Sequence, residues 1–247
     1  EFVPKTSVFE LTKPYRSDDK NLLTLWGRVR KMDDTILELI TRRGYSATLD
    51  VSIFAPAEAN EIILCLNYDG LYGINNINRF LQESNLKSAV TWGIQQYKVN
   101  DPILFNESDR FAPVIYNNMK GRILGIEILD SEKPTERIQF DVELDKVING
   151  VDAYGQDFDL LDSTESGNSV IRFCVNKLKS TDEDDDDFSK ADVPFQVAYA
   201  LSIHKAQGLE FNSVKIVITD EIDELITHSI FYTAITRARS KLKIYWT

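Results

Sequence analysis

The sequence predicts an α/β fold: a parallel-sheet domain assembled from both ends of the chain and interrupted by a small β-rich domain. Three observations carry this. Strand-like and helix-like segments alternate over the first 95 residues and again from residue 195, the pattern of a parallel sheet. Between them, short segments with period-2 alternation crowd together. Ile126 and Ile128 alternate with Glu127, and Ile138, Phe140 and Val142 with Gln139 and Asp141, as half-buried antiparallel strands do. The charge also changes along the chain: residues 126–192 hold 19 acidic and 7 basic side chains, whereas residues 1–125 hold 15 of each.

The elements follow in order. Residues 22–31 and 36–43 read as helices, the first entered through Ser17, Asp18 and Asp19, types that cap helix N-termini. Residues 50–54 and 62–66 are short apolar runs of strand type. Residues 70–82 place Ile74, Ile77 and Leu81 at helical spacing. Residues 102–105, 114–116, 121–129, 137–144 and 170–175 read as strands separated by Gly, Asn, Asp and Ser clusters. The run TDEDDDDFSK at 181–190 reads as a solvated linker. Residues 195–201 and 214–219 are strands, 229–238 a helix and 242–246 a closing strand. The division is therefore 1–95 with 190–247, an insertion at 96–180, and an acidic linker at 181–189.

Composition removes several classes of function. At 247 residues with 43% hydrophobic side chains, the chain has enough apolar material for a core. No run of 18 apolar residues marks a membrane span. The two cysteines, Cys65 and Cys174, form no CxxC, and two histidines leave little for a histidine metal site. The N-terminus lacks the basic-then-apolar layout of a signal peptide, and the expected location is the cytoplasm. The net charge of −11 argues against a nucleic-acid partner only as an average. Residues 193–247 carry 5 acidic and 6 basic side chains, so the electrostatic case must be made region by region.

The last 50 residues carry the chemistry. FQVAYALSIHKAQGLEF at 195–211 and IFYTAITRARSKLKIYW at 230–246 resemble, in that order, motifs V and VI of superfamily 1 helicases, specifically the RecD-like and UvrD-like group. LTKPYRSDDKNLL at 11–23 resembles motif IV. YKVNDPILF at 97–105 and IYNNMKGRI at 115–123 resemble the segment leading into the SH3-like insertion of RecD-like enzymes. The resemblance implies a RecA-like domain, P-loop NTPase-like but without the P-loop, carrying an SH3-like barrel. It implies the C-terminal motor half of an ATP-dependent DNA helicase, with ATP and Mg²⁺ as ligands of the intact protein and 5′→3′ movement along single strands. The implied partners are single-stranded DNA and an N-terminal RecA-like domain of the same protein. Arg16 and Arg237 would reach the γ-phosphate. Gly208, Glu210 and Gln207 would serve the nucleotide and its coupling to the strand. Ser202, His204, Lys205, Asn117, Asn118 and Lys120 would touch the strand.

The residue types suit that chemistry on physical grounds. Charge on a transferring phosphoryl group is met well by arginine, whose planar fork stays charged and grips oxygens bidentately. The bland alternative for any arginine is a surface salt bridge. Arg239 is expected to point away from Arg237 on a helix, as a structural or strand-contacting residue. Asp220 and Glu221, after the strand-like VKIVIT, mimic the magnesium-binding carboxylates of a nucleotide site. No GxxxxGK[ST] accompanies them, so they read as a strand-end cap, and this chain alone should hydrolyse nothing. Of Trp92, Tyr97, Phe105, Phe111 and Tyr116, most should be core and one or two could stack on bases. Two further readings stay open: a nucleic-acid-binding module without ATP chemistry, and half of an RNA-acting superfamily 1 protein.

Overall fold

The computed structural model describes residues 15–55, 60–106, 109–129, 136–176, 192–221 and 225–247. The expected acidic linker and residues 11–14 lie outside them. In chain order the elements are α1 (Lys20–Arg30), α2 (Ile36–Arg42), β1 (Ser46–Thr48), β2 (Glu61–Cys65) and α3 (Ile74–Ser84). There follow β3 (Ala89–Trp92), β4 (Gln95–Lys98), β5 (Pro102–Phe105), β6 (Lys120–Leu129), β7 (Arg137–Leu144), α4 (Gly150–Ala153), β8 (Asp159–Leu160) and β9 (Val170–Asn176). The chain closes with β10 (Phe195–Val197), β11 (Ala200–Ser202), β12 (Phe211–Ile218), α5 (His228–Ile235) and β13 (Ala238–Trp246). No described helix is long and apolar enough to cross a membrane.

Two compact units result. The first comprises Glu1–Tyr68, Tyr72–Ile74 and Leu201–Thr247. Its sheet has the order β1-β13-β12-β2-β11, with β1, β12 and β2 each pairing in parallel with its neighbour. Seven of the eight residues of β12, all but Asn212, are buried, the near-continuous burial expected of an interior parallel strand. Asp19 starts α1 by accepting the amides of Asn21 and Leu22 at 2.7 and 3.2 Å, and the helix buries Leu22, Leu25, Trp26 and Val29. Lys215, buried on β12, donates to Ile53 O at 3.0 Å and pairs with Glu61 at 2.8 Å, while Ser213 holds the other Glu61 oxygen at 2.7 Å. A buried ion pair offsets its desolvation only with such added hydrogen bonds.

The second unit comprises Asp69–Leu71 and Asn75–Ala200. Its six-stranded sheet, β10-β5-β6-β7-β9-β8, is antiparallel at every pairing. Tyr97, Phe105, Phe140 and Phe195 meet edge-to-face with centroids 5.1–6.0 Å apart, the arrangement ring quadrupoles favour. Fully buried Asp101, just after β4, accepts from Gln82 Nε2 at 2.5 Å, Asn85 Nδ2 at 2.9 Å, the Lys98 amide at 2.9 Å and Tyr199 Oη at 2.9 Å. One carboxylate thus ties α3, β4 and the residue before β11 together.

The structure departs from several expectations. Residues 51–54 form a 3-10 turn instead of a strand, because the Asp50 carboxylate takes the Ser52 amide at 2.8 Å and starts a turn. Residues 114–116 also turn; Val114 and Ile115 are buried by core packing without strand pairing. The single strand expected over 195–201 is two strands in two sheets: β10 pairs with β5, and β11 lies beside β2. The hairpin β3–β4 around Gly93 was not foreseen.

Burial of the Cys65 side chain on β2 pushes its thiol up to about 12. At pH 8 the thiolate, which is the nucleophile, is then a fraction on the order of 10⁻⁴. In native protein, Ellman's reagent is expected to label Cys174, which is partly exposed, and to leave Cys65 until denaturant is added. Rapid release of two thiol equivalents without denaturant would contradict this burial.

Candidate functional site

The site is built where the start and end of the first unit meet. Ser17 Oγ donates to Arg239 O at 2.5 Å and accepts the Asp19 amide at 3.1 Å, which fixes the entry to α1 against the start of β13. Trp26 Nε1 donates to Ile235 O at 3.2 Å and ties the same helix to the end of α5. These two clamps position Arg16. Its Nε donates to Glu210 Oε1 at 2.8 Å and its Nη1 to Thr236 O at 3.0 Å.

Helix α5 is capped at its start by Thr227, whose hydroxyl accepts the Ile230 amide at 3.4 Å, and at its end by Thr236. Arg237 follows at once and is buried. Its Nε donates to Thr233 O at 2.8 Å, its Nη1 to Leu209 O at 3.1 Å and its Nη2 to Thr236 Oγ1 at 3.1 Å. Burial first, and then the charge of Arg16, push its pKa down to about 10, with Glu210 and Tyr232 opposing. It therefore stays charged at neutral pH.

Arg239 completes the group. The sequence places it on a helix pointing away; in the structure the helix has ended at Ile235 and Arg239 lies on β13. There its Nε comes 3.7 Å from Glu210 Oε2. Arg16 and Arg239 thus hold opposite oxygens of one carboxylate, with side chains 29% and 52% exposed. Two guanidinium groups pair with this carboxylate, and the buried Arg237 lies near enough for the charges of Arg16 and Glu210 to act on it, so three cations gather around one anion in a protein of net charge −11. Such a donor set fits a phosphate-type anion. The sequence reading named Arg239 but placed it away from Arg237, because it ran the helix on to residue 238.

The remaining expected residues fall into two places. The segment 203–208 is a series of turns. Ser202 is buried, its Oγ accepts the Lys205 amide at 3.1 Å, and its carbonyl accepts the Ala206 amide at 3.0 Å. The Gln207 amide goes to His204 O at 3.1 Å. The amides of Lys205, Ala206 and Gln207 are thus used internally, and His204 and Gln207 present side chains at the surface. Gly208 is needed for its backbone, at φ +88°, a region open to glycine; open space lies where a Cβ would point. In the second unit, Asn118 stands at φ +70° with its amide on Phe105 O at 2.7 Å, a turn role that asparagine tolerates. Asn117 is exposed beside it, and Lys120 pairs with Asp145 at 2.7 Å. Of the five aromatics considered for stacking, four are buried and Tyr116 is exposed. Asp220 and Thr247 bond reciprocally at 2.8 and 2.7 Å, the strand-end cap expected of Asp220. Among the described residues, no cluster of three or more His, Cys, Asp or Glu is placed to hold a metal.

Residues 197–245 span the turns at 203–208 and the whole arginine group except Arg16. They match the UvrD-like helicase C-terminal domain. Beyond that UvrD-like match, the chain is 27% identical over 195 residues to the RecBCD enzyme subunit RecD of Buchnera aphidicola subsp. Schizaphis graminum (strain Sg), covering 76% of this chain and 25% of that protein. In structure it is similar to Bacteroides Pif1 bound to ssDNA, with a TM-score of 0.55 at 15% identity, over 95% of this chain and 51% of that one. It is also similar to Pif1 helicase from Bacteroides in complex with ADP-AlF3 and ssDNA, with a TM-score of 0.50 at 17% identity, over 96% and 51%. At these identities the likeness shows a shared mixed α/β fold with a parallel sheet. The chain spans about a quarter of that RecD and about half of each Pif1 chain.

Proposed function

We propose that this chain is the second motor domain of an ATP-dependent, RecD-like superfamily 1 DNA helicase, with the antiparallel unit as its SH3-like insertion. The observation that carries this reading is the meeting of Glu210, Arg237 and Arg239, all inside the UvrD-like match, with Arg16 from the far end of the chain. Support for the ligands comes from the similar Pif1 structures, one bound to single-stranded DNA and the other in complex with ADP-AlF3 and single-stranded DNA.

In this reading the nucleotide sits between this domain and a P-loop domain that binds Mg²⁺ and the β- and γ-phosphates. The metal supplies charge neutralisation and a template for the phosphate oxygens. Arg16 exchanges its bond to Glu210 for a γ-phosphate oxygen, at small cost because the pair is partly solvated. Arg237 gives up carbonyl partners for the same anion and returns to them when phosphate leaves. Glu210 is then free to accept from the nucleotide sugar. His204, Lys205 and Gln207 on one unit, and Asn117, Asn118 and Lys120 on the other, would contact the strand, with 5′→3′ movement following from the resemblance.

The direct test is phosphate release. The purified 247-residue chain is expected to hydrolyse no ATP with or without oligo-dT, whereas the intact protein hydrolyses it with strand stimulation. Steady phosphate release by the chain alone, abolished by Arg237→Ala, would place the catalytic half here and overturn the reading.

A further inference from the structure

The second unit carries an apolar face that the proposed function does not use. Around α4, Val151 and Tyr154 are 87% and 90% exposed, and Val147 and Tyr116 are more than half exposed. None of the four helix residues is buried. The segment is nonetheless anchored. Ile148 and Phe158 lie in the core on either side of the helix, and the Ile148 amide donates to Ser169 Oγ at 2.7 Å. A segment pinned at both ends holds its exposed side chains outward in a fixed arrangement, and each forfeits the favourable burial of apolar surface, about 25 cal/mol per Å². Beside them opens a cavity of about 240 Å³ lined by Pro113, Val114, Val147 and Ile148, with Lys146, Asp152 and Gln156 as its polar members.

Charge selects what could cover this face. Residues 145–165 carry six carboxylates against one lysine. Two are met by cations: Asp145 by Lys120 at 2.7 Å and Asp157 by Arg110 at 2.5 Å. The one lysine, Lys146, lies 5.5 Å over the Tyr116 ring and covers the face on which a base would stack. Around Val151, Asp152 and Tyr154 a phosphate backbone would meet a carboxylate and no added cation, unlike the turn at Asn117–Lys120, since strand binding relies on cations along the groove.

We propose that this face docks a basic, amphipathic segment of a partner protein. Its apolar side chains would pack on Val147, Val151 and Tyr154, and one long side chain would enter the cavity. A lysine or arginine stem suits that position because its methylenes lie on apolar walls while its charge reaches the Asp152 carboxylate at the rim. The acidic surround would speed association and set the salt dependence.

The test uses the whole chain and a fluorescein-labelled 14-residue helical peptide of leucine and lysine, with a leucine–glutamate peptide of the same pattern as control. The basic peptide is expected to bind in the micromolar range and to weaken with added salt, and the acidic one to fail. Val151→Ser with Tyr154→Ser, and separately Asp152→Lys, should each weaken binding at least about tenfold with unchanged melting temperature. Equal binding by both variants, or no binding of the basic peptide at 1 mM or below (about −4 kcal/mol), would overturn the proposal. Loss of oligo-dT binding on the same substitutions would also overturn it, by making the face a strand site.

Discussion

Replacing Arg16 by alanine in the intact protein is expected to lower strand-stimulated ATP hydrolysis by about 10³-fold or more, with ATP binding largely kept. Arginines that meet charge developing on a transferring phosphoryl group contribute about 10³–10⁵ in turnover. Arg16→Lys should not restore it, because lysine is a point charge without the bidentate fork. Arg237→Ala should cost a similar factor but with a second signature. Arg16 is partly exposed and its loss leaves Glu210 beside Arg239, so stability should change by less than about 1 kcal/mol. Arg237 is buried on the carbonyls of Thr233 and Leu209. Stranding them costs about 1–3 kcal/mol each, a fall in melting temperature on the order of 5–10 °C for a chain of this size. Single-turnover hydrolysis and thermal melts of both variants separate the roles. Full hydrolysis in Arg16→Ala would exclude it as the phosphate-facing residue.

Asp101→Ala is expected to be the most destabilising single substitution in the antiparallel unit. It would leave donors from Gln82, Asn85, Lys98 and Tyr199 facing an empty buried site. Breaking a buried, fully engaged carboxylate costs about 3–5 kcal/mol. Asp101→Asn should not rescue, since its amide would turn a donor toward donors already there. The Tyr199 hydroxyl, whose ionisation is pushed up by burial and then by Asp101, loses its acceptor as well. Chemical denaturation followed by near-ultraviolet circular dichroism measures the loss; a midpoint shift too small to resolve would show that water takes the place of the carboxylate.

The parallel sheet was legible from apolar runs such as residues 214–219, because an interior strand needs burial on both faces and little else. Helices α1 and α3 were legible from capping residues and spacing. What escaped was set by partners far away in sequence. The apolar string 195–201 says nothing of which sheet each half will join; pairing of Phe195 with Phe105, and the place of Leu201 beside β2, decide it. The run VSIF at 51–54 looks like a strand until one Asp50 side chain bonds its second amide. In the site, the residue types of Arg16, Glu210 and Arg237 were readable, but their joining was not, since Arg16 and Thr236 lie 220 residues apart. The role of Arg239 was missed because the helix ends three residues earlier than expected at 238.

The position of β13 has a consequence for how the protein is made. This strand, formed by residues 238–246, lies between β1 and β12 and not at the margin of its sheet. The antiparallel sheet has all its strands once residue 197 is synthesised. The parallel one must wait for residue 246, with Leu22, Leu25, Trp26 and Val29 held meanwhile without their full packing. Elements that close across most of a chain fold late and expose apolar surface while they wait. Removal of residues 238–247 would therefore leave the antiparallel sheet complete and the parallel one unable to close, a lesion out of proportion to its length.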